Sequence, residues 1–79
     1  MNEALRKILV TTYKLSRSES EVAAWVFTGI TSKEVGERRK CTEKTVKTHL
    51  TNIYAKVGVK SRGELIVTIS RLKTGMFGR

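Results

Sequence analysis

The residues best equipped for chemistry lie between Lys44 and Lys56. At about 100° per residue, Lys44, Thr48, Thr51 and Ala55 share one side of a helix, with Asn52 beside them. Lys47 flanks this stripe on one edge; Thr45 and Lys56 flank it on the other. The groups on offer are hydroxyls, an amide and ammonium ions. Such a set recognises and does not break bonds: ammonium ions pair with phosphates, and Lys, Asn and Thr hydrogen-bond base edges. Short Thr and Ala side chains let the helix backbone approach a groove. An outer face kept merely for water would mix Glu with Lys, yet no acid occurs from Lys44 to Val57. The single histidine, His49, has no nucleophile or carboxylate at a recognisable spacing, so an enzyme gains no support. Cys41 and His49 are two isolated potential ligands where structural zinc needs four. Neither a metal nor a cofactor is expected.

Charge points the same way. Sixteen Lys and Arg against seven Asp and Glu give a net charge of +9. Between Thr31 and Arg62 stand nine basic residues (Lys33, Arg38, Arg39, Lys40, Lys44, Lys47, Lys56, Lys60, Arg62) against Glu34, Glu37 and Glu43, so this segment holds +6 of the +9. A field of that kind attracts a polyanion and speeds encounter with it. A lone cysteine forms no intrachain disulfide, and no apolar run approaches the roughly 20 residues of a membrane span. Residues 1–15 lack the apolar stretch and small-residue cleavage site of a secretory signal. The expectation is a cytoplasmic protein, associated with the nucleoid through DNA, with no membrane partner.

Helices must position these residues. Ser16-Arg17-Ser18-Glu19, Thr31-Ser32-Lys33-Glu34 and Ser61-Arg62-Gly63-Glu64 all fit the capping box, in which hydroxyl and Glu each take a free backbone N–H. Gly29, Gly58 and Gly75 fall where helices should end. The spacing predicts helices over 17–28, 32–39, 43–57 and 62–73, with a frayed tail over 75–79. Apolar periodicity gives their inward stripes: Val22, Trp25, Val26 and Gly29; Val35 in the short second helix; Val46, Leu50, Ile53 and Val57; and Leu65, Ile66, Ile69 and Leu72. Leu5, Ile8, Leu9 and Thr12 predict an extra amphipathic helix over 2–12, which would cover Phe27. The expected fold class is all-α: a helix-turn-helix bundle of four core helices in 15–74, preceded by the N-terminal helix in 1–14.

From Leu15 to Ile66 the sequence resembles the LuxR/GerE-type helix-turn-helix domain. The residues that carry the likeness are Leu15-Ser16-Arg17-Ser18-Glu19 with Glu21-Val22, Gly29-Ile30-Thr31-Ser32-Lys33-Glu34-Val35, Thr45-Val46-Lys47-Thr48-His49 with Ile53, and Lys56-Val57-Gly58-Val59 with Ser61-Arg62. The resemblance implies a recognition helix at 42–57 lying in the major groove of double-stranded DNA. It implies base reading by Lys47, Thr48 and Thr51, and backbone contacts by Lys33, Thr45 and Arg62. The exposed face adds Lys44 to the base-reading set and Asn52 and Lys56 to the backbone set, which Thr42 and Lys60, just before and after the helix, complete. The resemblance also implies a homodimer on an inverted repeat, formed through the last core helix. There Gly63, Val67, Ser70 and Thr74 lie opposite Leu65, Ile69 and Leu72, all neutral and mostly small, as a symmetric interface would want. Many relatives carry the domain behind a signal-receiving domain; the likeness here is to small, standalone members.

Two positions depart from the family pattern. Arg39 stands where Leu is usual, and is expected to lay its stem on the core with its guanidinium in water. Cys41 stands where Ile is usual and is expected to fill part of that site. Gly36, where Ala is common, is expected to weaken its helix by up to about 1 kcal/mol. The function these readings favour is sequence-specific regulation of transcription. The alternative is a protein-interaction module that antagonises a larger regulator or docks on RNA polymerase.

Overall fold

The computed structural model describes residues 3–77, with side chains for 3–72. Five helices follow in order: α1 (Glu3–Tyr13), α2 (Arg17–Phe27), α3 (Ser32–Arg39), α4 (Glu43–Val57) and α5 (Arg62–Phe77). There is no strand among the described residues, and the fold is all-α. The four expected core helices begin at the expected residues, three of them behind the expected caps. Two caps are complete boxes. The Ser16 hydroxyl accepts the Glu19 N–H at 3.1 Å, and Glu19 accepts the Ser16 N–H at 2.9 Å. Thr31 and Glu34 do the same for α3. The third is shifted by one residue: Ser61 accepts the Glu64 N–H at 3.2 Å, but Glu64 accepts the N–H of Lys60 at 2.7 Å. Gly29 and Gly58 adopt the left-handed conformation at φ 94° and 88°. Gly75 does not end its helix, because α5 continues to Phe77 and takes in part of the expected tail.

The core is one cluster of Leu5, Leu9, Leu15, Val22, Ala23, Ala24, Val26, Val35, Val46, Leu50, Ile53, Leu65 and Ile69. Alpha-2 lies at its centre, packed by α1 on one side and by α3, α4 and α5 on the others. Several expected core positions differ. Trp25 is only half-buried, with the Arg38 guanidinium carbon 5.8 Å from its ring centroid, so it roofs the core edge. Gly29 leaves the stripe for the turn and is exposed, as is Thr12; Val57, Ile66 and Leu72 pack on the rim. Phe27 is half-buried against the core, as is Cys41.

Arg39 corrects the sequence expectation. Its guanidinium is not left to water: it pairs with Glu21 and donates to Ser18 Oγ at 3.0 Å, tying the end of α3 to α2. The contact between these helices at this point is a partly buried ionic one. Gly36 is corrected too. A Cβ there would meet the Cys41 carbonyl oxygen at 2.9 Å and the Thr42 carbonyl carbon at 3.3 Å. Its lack of a side chain lets the turn before α4 fold closely over α3.

Candidate nucleic-acid interface

Alpha-4 is held by Val46, Leu50 and Ile53, all buried against α2 and α3. Thr42 caps it by accepting the Thr45 N–H at 3.1 Å, with the two hydroxyls 3.0 Å apart. These contacts fix the helix and leave Lys44, Thr45, Lys47, Thr48, Thr51, Asn52 and Ala55 exposed together. Glu43, in the first turn, reaches the Lys47 ammonium at 3.5 Å, and both side chains are exposed. A pair of that kind is worth at most about 1 kcal/mol, so it gives way readily to a stronger anion. The other members of the expected set surround this face. Lys33 is exposed on α3, and Lys60 is exposed in the turn before α5.

Arg62 is less free than expected. Its Nη2 donates to the Ile30 carbonyl, next to the Thr31 cap of α3, which anchors α5 to the α2–α3 turn. Beside it opens a cleft of about 290 Å³ lined by Ser32, Lys47, Leu50, Thr51, Tyr54 and Arg62. Two cations thus flank a hydroxyl at the start of α3. Ser32 and Tyr54 were not expected here, although Lys47, Thr51 and Tyr54 stand at i, i+4 and i+7 on one helix face.

Lys56 departs further from expectation. Its ammonium lies 2.8 Å from Glu19 Oε1, and the Glu19 side chain is only 9% exposed. Burial works against the Glu19 charge, but the Lys56 ammonium and the Ser16 N–H and hydroxyl outweigh it and hold the carboxyl below its ordinary range. The bridge joins the start of α2 to the end of α4 and keeps Lys56 occupied from within.

On α5, Gly63, Val67 and Ser70 are exposed, whereas Thr74 lies outside the residues with described side chains. Val67 is the one large hydrophobic among the described residues that stands open, at 50% exposure. It lines a shallow groove with Gly58, Val59, Gly63, Glu64, Thr68 and Arg71. Among the described residues no three His, Cys, Asp or Glu side chains come together as metal ligands. No helix among them is long and apolar enough to cross a membrane.

The profile described as "Bacterial regulatory proteins, luxR family" matches residues 13–69. The chain belongs to the luxR family. That match takes in α2, α3, α4 and the first half of α5, and leaves α1 almost wholly outside. Among luxR-type relatives, the chain is similar to the transcriptional regulatory protein LiaR of Bacillus subtilis (strain 168). They are 42% identical over 57 residues, which make up 72% of this chain and 27% of LiaR. It is similar also to the transcriptional regulatory protein LnrK of the same organism, 35% identical over 63 residues, 80% of this chain and 29% of LnrK. The HTH-type transcriptional regulator MalT of Vibrio campbellii (strain ATCC BAA-1116) is 31% identical over 64 residues, 81% of this chain and 7% of MalT. The chain therefore spans under a third of the length of each of these relatives. No solved structure matches it. The family and these relatives are described as regulatory proteins.

Proposed function

We propose that this chain binds double-stranded DNA sequence-specifically and regulates transcription, with α4 seated in the major groove. The observation that carries this reading is the exposed face of α4, where Lys44, Lys47, Thr48, Thr51 and Asn52 stand together with Glu43 as their only acid. Lys44, Lys47, Thr48 and Thr51 read bases. Lys33, Thr42, Thr45, Asn52, Lys60 and Arg62 hold the backbone, and Lys56 contributes mainly by fixing α4. A phosphate suits the Arg62 and Ser32 side of the cleft, because a cationic side chain and the free N–H groups of a helix start favour an anion. Two copies meet through Gly63, Val67, Ser70 and Thr74 of α5 and read an inverted repeat. The same patch supports a second reading, pairing with a larger luxR-type regulator, because Val67 is apolar and exposed on a charged chain.

The test is selection of duplexes from a random pool, followed by titration of the recovered site against potassium. Selection is expected to return an inverted repeat. Log K is expected to fall with log salt at roughly −0.9 per phosphate neutralised. A flat salt response, or recovery of no common sequence, overturns the proposal.

A further inference from the structure

Thr48 and Thr51 are exposed on α4, yet each has already committed its hydroxyl proton. Thr48 Oγ1 donates to the Lys44 carbonyl and Thr51 Oγ1 to the Lys47 carbonyl, both at 3.1 Å. Bonds to the carbonyl four residues back turn each hydroxyl onto the helix's own backbone. A threonine Cβ carries two heavy atoms beyond the backbone, an oxygen and a methyl. With the oxygen turned inward, the γ-methyl is the group left to face outward. Ala55 is exposed on the same stripe and adds a third methyl. Thr42 and Thr45 differ, because their hydroxyls face one another at 3.0 Å in the cap. The middle of the α4 face is thus a row of methyls. Its hydrogen-bonding reach lies beside that row, in the exposed Lys47 and Asn52.

In the major groove, thymine alone among the four bases presents a methyl, and Ala or the methyl of Thr is its usual apolar contact. We propose that Thr48 and Thr51 read thymine methyl groups through their own γ-methyls. The preferred half-site then sets thymines against this row, next to the base that Lys47 hydrogen-bonds. This inference rests on the reading of α4 as a major-groove helix. The competing chemistry is hydroxyl readout, in which each threonine either gives up its backbone bond to donate to a base acceptor or keeps it and accepts from a base amine. The two make opposite demands on the side chain.

The experiment uses the tightest duplex recovered by the parent chain from a random pool. Each thymine is replaced singly by deoxyuridine, which removes the methyl and leaves every donor and acceptor in place. At thymines facing the row, affinity is expected to fall about fourfold per methyl, the factor that burying one such group gives; at the others it stays unchanged. Thr48→Val and Thr51→Val keep a methyl in place and lose the hydroxyl, and are expected to bind within about twofold of the parent. Thr48→Ser and Thr51→Ser keep the hydroxyl, and are expected to bind about fourfold more weakly. Each serine variant should also become indifferent to deoxyuridine at its matched position. Coupling between one methyl on the protein and one on the DNA is a signature that altered helix stability does not produce. Indifference of the parent to every deoxyuridine overturns the inference, as do serine variants that bind like the parent while valine variants fail. Either result leaves DNA binding standing. A parent chain that recovers no duplex overturns the DNA-binding reading and this inference with it.

Discussion

Glu19 accepts the Ser16 N–H at the start of α2 and the Lys56 ammonium at the end of α4, so one carboxylate serves two helices. Both partners offset the cost of drawing that carboxylate partly out of water, and removing either leaves it less well satisfied. The sequence marked Glu19 as a capping residue but had no means of showing that Lys56 sits against it, 37 residues on. The consequence for pH follows from the direction of the shift. Glu19 has a folded pKa below its ordinary 4.5, so its stabilising contribution is complete above that value. It is lost as pH falls through the lower folded value. Glu34, held down by the Thr31 N–H and hydroxyl, acts in the same sense. Stability measured by urea unfolding is therefore expected to fall as pH drops below about 4.5. In Glu19→Gln, which keeps a cap acceptor but cannot titrate, the fall should be shallower at the acid end. An identical pH profile in the variant would mean that the bridge is electrostatically idle. Lys56→Met tests the other end: with that side chain 42% exposed, the expected loss is about 1 kcal/mol at neutral pH.

At the scale of elements, geometry and residue choice disagree in two turns, at Lys14 between α1 and α2 and at Lys40 between α3 and α4. Lys40 closes α3 in the left-handed conformation at φ 59°, a place that glycine usually fills. A side chain there costs roughly 1–2 kcal/mol, partly offset by the greater freedom glycine has when unfolded. Lys40→Gly is therefore expected to raise stability by up to about 1 kcal/mol in denaturant unfolding. A variant no more stable than the parent would mean that the Lys40 side chain makes a compensating contact. The helices themselves were legible because their signals are local: Ser16, Thr31 and Ser61 cap as expected, and Val46, Leu50 and Ile53 repeat with the period of a buried face. The exposed face of α4 was legible for the same reason, since fixing one side of a helix fixes the other. What the sequence hid was contact between distant segments. Arg39 found Glu21 and Ser18 across 18 and 21 residues, and Arg62 found the Ile30 carbonyl across 32. Gly36 looked like a weak point in its helix because the backbone that crowds it belongs to the next turn.

At the scale of the whole molecule, α4 is the one helix proposed to read DNA, and its 15 residues span about 22 Å at 1.5 Å each, too short to reach two successive major-groove faces. Two half-sites one turn apart, about 34 Å, need two copies. Alpha-5 carries the surface that would join them. Gly63, Val67 and Ser70 are exposed and uncharged along one side, and the groove beside Val67 gives a second copy's side chain somewhere to lie. A symmetric contact matches each patch with itself, so small residues bring the helices close and a single valine meets its own counterpart near the axis. One helix pair buries little area, so the expected dimer is weak in solution and completed on DNA. Val67→Glu puts like charges across the two-fold axis at an exposed position, where a charge should not disturb the monomer's core. Circular dichroism and thermal unfolding should match the parent. Gel shifts should show unchanged binding to a single half-site and loss of cooperative loading on an inverted repeat. If the variant still loads two copies as tightly as the parent, α5 is not the joining surface, and α1 is the next helix to test.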